Sequence, residues 1–600
     1  MSEATIVFLV LGATVALFVW NRLPVIVVAV GSAVALHLTG VLTLKEALAG
    51  FGDPVIAFVA ALFIVTAGLE ATGVTTWVGR QVERIVAGSR TRLLVVGMLA
   101  VAALCPLINA SGAVGALLPV VMLLVVRLGD DPSRLLMPIA FAAGAGSHLA
   151  LTGSPKNVLI ADAVADAGAG AIGFFDFALV GLPLLGGTVA IVLLFGRRLV
   201  PRRAPASLPP DLSRYAETMV EQYRLAADVF RLKIRRGSPL AGSRATALDL
   251  GPYPGLRLVS ATDGRGAPRL ARPLSAGDFL VLRGDAAAAE RLAAALDLKL
   301  EAISRERAAR NLVNRNAGVA EAVIPPRSRF VGQTVFPGMV TSTGDVVILA
   351  VQRGGEAVEG ETTLQAGDHV LVQGGWDTID ARSAMPGVLL VATPAELKRQ
   401  TVALGVGAKA MLAVTAAMVA AIAGGLVAPA VAALAAAGAT LTLGMVSVER
   451  AYRAINWTTV ILMAGMFPLS TAIEHSGAAA MIADGLVDVA GRGSPRLLLA
   501  CVFGIGVLLG AIISNTATCL ILIPIATISA ASFGVSPAPA LMCLSVATSA
   551  SFLTPVSTPV NTMVMGPAGY RFGDYWRLGL PLTALYGLVA IWLVPLIWPF

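Results

Sequence analysis

Ser154-Pro-Lys-Asn157 and Thr558-Pro-Val-Asn561 are one short motif written twice, 404 residues apart, and each interrupts an apolar stretch. Proline has no amide proton to give a helix and clashes with the turn before it, so each copy marks a helix that breaks. Working outward, two more pairs keep this spacing. Glu70-Ala-Thr-Gly73 matches Glu474-His-Ser-Gly477 at 404, and Asn109-Ala-Ser111 with Pro119 matches Ser514-Asn-Thr516 with Pro524 at 405. Three weak matches at nearly one offset define an internal repeat, the sequence mark of a secondary transporter.

The blocks carrying these motifs are membrane-like. Hydrophobic residues make up 56% of the 600-residue chain and charged ones 13%, against about 25% charged in soluble proteins. Runs such as Thr5–Trp20, Leu23–Leu38, Val55–Leu69, Leu179–Phe195, Leu497–Ile513 and Leu580–Ile597 approach the ~20 residues that cross a bilayer. The first run is expected to be a retained span, because no small-residue cleavage site follows it. Arg80, Arg84, Arg90 and Arg92 form one basic cluster, and Arg197, Arg198, Arg202 and Arg203 another. By the positive-inside rule the second puts the following segment in the cytoplasm, so the net charge of +8 reflects topology rather than nucleic-acid binding.

The expected fold is an α-helical polytopic membrane protein of two inverted repeats, residues 1–200 and 403–600, with re-entrant hairpins and broken helices, in the inner or plasma membrane. Between them, 201–402 has frequent charges and strand-length apolar runs. This middle block repeats itself with a period of 90: Ser238-Pro-Leu-Ala-Gly242 matches Ser328-Arg-Phe-Val-Gly332, and Leu274-Ser-Ala-Gly-Asp278 matches Leu364-Gln-Ala-Gly-Asp368. Two small α+β modules are expected, near 225–305 and 315–395, with Asp278 and Asp368 in turns.

A transport site needs polar groups at membrane depth, where an unpaired one costs roughly several kcal/mol. Asn109-Ala110-Ser111 and Ser514-Asn515-Thr516 supply them, and Ser, Asn and Thr are helix N-cap residues. Half-helices starting there aim N–H groups and the positive dipole end at whatever lies in front, so two facing tips make an anion site. The plainer reading, small polar residues packing helices, does not account for the duplication. The substrate set is therefore Asn109, Ser111, Ser514, Asn515 and Thr516, with Thr558 nearby. At the broken helices, carbonyls freed at Gly153 and Ser557 suit a hard cation such as Na⁺.

Ser514-Asn-Thr516, with Thr554-Pro-Val-Ser-Thr-Pro-Val-Asn561 running on to Gly566-Pro-Ala-Gly-Tyr570-Arg-Phe-Gly-Asp574-Tyr575, resembles the signature of the divalent anion/sodium symporter (DASS) family. The resemblance covers both membrane blocks. The middle modules resemble the paired TrkA-C (RCK-C) domains inserted in some members, whose ligand, if any, is unidentified. The resemblance implies an elevator-type homodimer in membrane lipid, carrying sulfate, dicarboxylate or citrate with Na⁺. Its implied sodium ligands are Gly153, Asn157, Ser514, Asn515, Ser557 and Asn561. The first half departs from the pattern: Ala110 replaces the central amide, and Lys156 stands where the second half has Val560. Lys156 is expected either to meet the loop carbonyls or bound anion as Na⁺ would, or to turn toward water at the rim.

Other polar residues read more plainly. Cys105, Cys501, Cys519 and Cys543 lie in apolar sequence without ligand spacing, and His37, His369 and His475 have no spaced partners. His148 is expected as a packed or pore-lining residue, and Glu70 and Glu474 at the membrane interface. No phosphate loop or catalytic constellation is present. A channel gated by the middle modules is disfavoured by the lack of a Gly-Tyr-Gly filter or carboxylate ring. A transport-derived sensor is the third reading.

Overall fold

A computed structural model describes residues 2–203 except 21, 87–88 and 129, and residues 407–600 except 491–493 and 556. Between them it describes 219, 223, 229–245, 248–263, 273–302, 317–336, 339, 346–358, 360–376, 379 and 389–390. Val556 and the outer edges of both expected modules (225–228, 303–305, 315–316 and 391–395) lie outside the described residues. The chain divides into two units, 1–209 with 406–600, and 210–405.

The first unit is helical. Its first half runs α1 (Glu3–Trp20), α2 (Val25–Leu38), α3 (Leu44–Ala49), α4 (Pro54–Ala71), α5 (Val74–Val86), α6 (Arg90–Arg127), α7 (Ser133–Gly146), α8 (Pro155–Asp166) and α9 (Ala178–Leu199). In the second unit lies α10 (Ala286–Ala295). The first unit resumes with α11 (Ala408–Ala423), α12 (Pro429–Thr442), α13 (Val448–Ala454), α14 (Trp457–His475), α15 (Ala478–Ala490), α16 (Pro495–Gly510), α17 (Asn515–Ser532), α18 (Pro537–Ser549), α19 (Pro559–Ala568) and α20 (Trp576–Leu588), continued by a π turn into α21 (Val594–Ile597). Seven helical stretches among the described residues are long and apolar enough to cross a membrane: 3–20, 44–71, 90–125, 178–199, 457–475, 515–532 and 576–597.

The same local chemistry starts corresponding helices in the two halves. Thr43 accepts the Glu46 N–H to cap α3, and Ser447 accepts the Arg450 N–H to cap α13. Asp53 and Asn456 cap α4 and α14. Side-chain oxygens there satisfy N–H groups that the first turn leaves unpaired. Packing also exchanges between halves: α2 lies along α14 and α4 along α12, while α8 packs on α18 and α19 packs on α7. Gly181 of α9 presses against the His148 carbonyl, and Gly579 of α20 against the Phe552 carbonyl; a Cβ would come within 2.6 and 2.4 Å of those oxygens. Arg203, just past α9, forks onto Asp574 at 2.9 and 3.0 Å. Tyr570 donates to the Ser133 carbonyl and accepts from the Met137 N–H. These bonds tie the end of the first half to the second.

Among the described residues the second unit holds a small antiparallel pair, β6 (Thr334–Val335) with β9 (Thr362–Thr363), and two larger antiparallel sheets whose four shared strands match in order. One has strand order β2 (Arg257–Thr262), β3 (Phe279–Arg283), β1 (Val229–Ile234), β4 (Leu298–Ala302). In the other the order is β8 (Glu356–Val358), β7 (Val346–Arg353), β10 (His369–Gly375), β5 (Ala317–Val323), β11 (Leu389–Leu390). The turns repeat as well. Ile234 N–H bonds the Asp278 carbonyl and Ile324 N–H the Asp368 carbonyl, at 2.8 and 3.0 Å. Asp278 accepts from Ser275 N–H and Asp368 from Gln365 N–H, both at 2.8 Å.

Asp368 also takes a two-pronged ion pair from Arg353 at 2.8 Å, which holds its carboxyl below the usual aspartate range. Asp368→Asn is therefore expected to speed amide exchange across β7 and β10 in the whole chain, with the membrane helices unchanged. A depressed folded value means the ionised carboxyl stabilises the fold above the ordinary range and loses that contribution as pH falls through it. Hydrogen–deuterium exchange should show the difference from wild type shrinking below about pH 4.

Candidate functional site

α6 is two helical arms that meet at Asn109, whose φ of 61° and ψ of 168° lie far from helix. Positive φ is uncommon outside glycine, with asparagine among the residues that tolerate it. The side chain then caps the second arm: Asn109 Oδ1 accepts the Gly112 N–H at 2.9 Å. In the second half, Ser514 Oγ accepts the Ala517 N–H at 3.3 Å and starts α17. Each cap reaches the third residue after it, so two half-helices begin at equivalent places with their first-turn N–H groups pointing out of the end. Asn109, Ser111, Asn515 and Thr516 are half-buried and Ser514 is exposed, so these tips are reachable. The carboxylate of Glu70, expected only at the membrane interface, comes to the first tip: a Cβ on Gly112 would lie 3.4 Å from Glu70 Oε1 and 3.6 Å from Asn109 Oδ1.

The Pro-X-Asn motifs fall on the breaks between α7 and α8 and between α18 and α19. Here the two asparagines do the same job. Asn157 Nδ2 donates to the carbonyls of Ser147 and Ala150 at 2.7 and 3.1 Å. Asn561 Nδ2 donates to Ser551 and Thr554 at 2.9 and 3.1 Å. Both amides are fully buried, at 0 and 2% exposure. Their nitrogens brace the loop and so fix which way its carbonyls face. Thr152 Oγ1 donates to the Pro106 carbonyl at 2.7 Å and Thr554 Oγ1 to Ala511 at 3.3 Å, tying each loop to the first arm of its hairpin. Gly153 lies so close to the Ser147 carbonyl that a Cβ would sit 2.4 Å from it. At the equivalent place Ser557 puts its hydroxyl 2.9 Å from the Ser551 carbonyl and 2.8 Å from that of Thr554. Thr558 caps α19 through the Asn561 N–H at 3.3 Å.

The second tip and second loop meet directly, since Ser551 Oγ lies 2.9 Å from Asn515 Oδ1. Ala110 gives the first tip no such oxygen. Lys156 is not at a water-filled rim: it is 1% exposed, and its ammonium donates to the Ser545 carbonyl at 2.6 Å and to Ser549 Oγ. These partners lie on α18, not on a hairpin tip or its own loop. His148 Nε2 is 3.4 Å from the ammonium and 3.2 Å from the Ser545 carbonyl. Ser545, Ser549 and Ser551 were not singled out from the sequence. Their signal is a Ser-Val-Ala-Thr-Ser-Ala-Ser run in an otherwise apolar helix. The oxygens gathered here are hydroxyl, amide and carbonyl. Such a neutral set suits Na⁺ or the polar flank of an anion better than a thiophilic metal. Among the described residues no cluster of three or more His, Cys, Asp or Glu is placed to hold a metal ion.

The citrate transporter family model matches residues 15–491 and 489–600. The chain belongs to the citrate transporter (CitMHS) family. Its relatives include the uncharacterized transporter YfbS of Escherichia coli K12, 32% identical over 98% of both chains. A putative sulfur deprivation response regulator of Chlamydomonas reinhardtii is 28% identical over 93% of this chain and 95% of its own. Sodium/sulfate cotransporter 2 of the same alga is 26% identical over 45% of this chain and 32% of its own. This family is related to the divalent anion/sodium symporter group that the motifs resemble. With seven candidate spans and relatives named as transporters, the protein is a multi-pass membrane transporter.

The brace geometry makes a prediction. Asn157→Ala strands the buried Ser147 carbonyl, while Ala150 keeps the Gly153 N–H, and should destabilise the protein by about 1–3 kcal/mol; Asn561→Ala should cost less, because the Ser557 hydroxyl still reaches both of its carbonyls. Asn→Asp should fare no better, because a carboxylate can only accept. Thermal melting of detergent-solubilised variants checks this; a variant melting with the wild type would refute the brace.

Proposed function

We propose that the protein is a secondary symporter that moves a small divalent anion, sulfate or a di- or tricarboxylate, together with Na⁺. The observation that carries this reading is the duplicated unit of a capped half-helix tip beside a braced, carbonyl-bearing loop. Asn109 and Ser111 face the anion from one side, and Ser514, Asn515, Thr516 and Thr558 from the other. The oxygen-rich loop at Ser557 with Asn561, joined by Ser514 and Asn515, holds the co-transported cation, and the loop at Gly153 with Asn157 is the matching place in the first half. The names of the sodium/sulfate cotransporter relatives favour this pairing.

The two halves act as inverted repeats. α6–α9 and α16–α20 form the core that carries the site, and α1, α2, α4, α11, α12 and α14 form the frame against which it moves, elevator-fashion, within a homodimer. The cation gradient supplies the driving force, since only coupling can accumulate anion uphill. The middle unit is a cytoplasmic, TrkA-C-like pair of modules that regulates or assembles the transporter and lies off the permeation path; the arginines at 197–203 support that side.

Purified protein in liposomes with an inward Na⁺ gradient should accumulate one of sulfate, citrate or a dicarboxylate above equilibrium. Dissipation only, in either direction, would mark a channel. Thr516→Ala should weaken uptake at least several-fold at matched expression, because a hydrogen bond to a charged group is worth about 1.5–3 kcal/mol. Replacing residues 210–398 by a flexible bridge should leave measurable anion transport; a folded deletion protein that binds no anion would place the middle unit in the path.

A further inference from the structure

The crossing of α8 with α18 and the crossing of α19 with α7 are repeat-related, yet one is polar and the other apolar. Lys156, His148, Ser545 and Ser549 fill the first. Shifted by the 404-residue spacing, these positions are Val560, Phe552, Phe141 and Ala145. The contacts correspond. His148 Nε2 lies 3.2 Å from the Ser545 carbonyl, and the Phe552 and Phe141 rings pack with centroids 4.8 Å apart. Every member of both quartets is buried, at 0 to 6% exposure. The fold therefore closes this kind of crossing with hydrocarbon alone, and the polar quartet does more than fill space.

A buried ammonium is costly unless its protons and its charge are met. Neutral groups meet the protons of Lys156: the Ser545 carbonyl at 2.6 Å, the Ser549 hydroxyl, and His148 Nε2 at 3.4 Å. No carboxylate pairs with it among the described residues; the ionisable side chains acting on it are His148 and Cys519. The charge is met by position. Ser549 is the last residue of α18 and Ser545 lies one turn before it, so the negative dipole end of the helix favours a cation there. A half-helix ending at membrane depth is also where transporters seat a coupling cation. The quartet joins both loops: His148 follows Ser147, which Asn157 braces, and Ser549 lies two residues before Ser551, which meets Asn515.

We propose that Lys156 is a resident cation, an ammonium on a tether that takes the place of one co-transported cation and stays with the core on its return. This deepens the ion-coupled reading above and rests on it. The first half, lacking the amide at Ala110, then needs no sodium of its own. The lysine charge offsets part of the anion's charge on the loaded trip and remains on the empty one.

The test compares wild type with Lys156→Met made together with Ala110→Asn, which supplies the missing tip amide as it removes the tethered charge, and with the fourfold variant His148→Phe, Lys156→Val, Ser545→Phe, Ser549→Ala on the same Ala110→Asn background, which installs the protein's own apolar solution. Labelled Na⁺ and labelled sulfate or citrate are followed in liposomes, with melting as the check on folding; where Lys156→Met does not fold, the fourfold variant decides. The expected result is a sodium dependence whose Hill slope rises by about one, and a half-saturating sodium concentration raised about tenfold or more. A folded variant with the wild-type slope and wild-type sodium requirement overturns the proposal. A wild type that transports anion with no sodium requirement refutes the sodium reading separately. The lysine is then judged on anion affinity: about a tenfold loss in either variant supports it, and no loss overturns it.

Discussion

A helix interrupted inside a bilayer must house the carbonyls it strands, because no water is there to take them. The rest of this membrane unit depends on how Asn157 and Asn561 meet that demand. Each spends both amide protons on its own loop, at carbonyls ten and seven residues upstream. In the second half the braced loop also meets the helix tip, where the Ser551 hydroxyl donates to Asn515 Oδ1. The tips in turn are tied to the loops by Thr152 and Thr554. A site can exist there because the interruption is rigid rather than frayed.

The two halves solve this shared problem with different inventories. Gly153 fits the first loop because it brings no side chain to the Ser147 carbonyl, whereas Ser557 turns a hydroxyl onto the corresponding oxygen. The first tip is capped by an asparagine in an uncommon backbone conformation and the second by a serine in an ordinary one. Asn515 answers Ser551, and Ala110 answers nothing. The two copies of the motif, alike in plan, therefore present different polar groups.

The sequence made the repeat legible because a repeat is a local matter: the cap, the proline and the asparagine sit within four residues of one another, and their spacing survives in one dimension. The helix tips and the loop breaks lie where those residues stand, and four strands of each larger middle-unit sheet follow the 90-residue period, with β8 an addition to the second. Side-chain destinations were not legible. Whether Asn157 offers its oxygen to a cation or its nitrogen to a carbonyl depends on loop geometry that no pattern encodes. Lys156 could have turned outward, and its partners Ser545 and Ser549 lie on a helix made almost two-thirds of the chain later. Glu70 looked like an interface residue because its neighbours are amphipathic; what brings it to the first tip is the placement of α4 against α6.

That separation along the chain has a biosynthetic consequence. The acceptors of the Lys156 ammonium are 389 and 393 residues downstream of it. At roughly 5–20 residues per second, a ribosome reaches them about 20–80 seconds after making the lysine. Throughout that interval the first half holds Lys156 without the α18 acceptors it has in the folded chain. Its α2 and α4 also wait for α14 and α12. The middle unit is made within that interval, so the two membrane halves can pack on each other only after it has been synthesised.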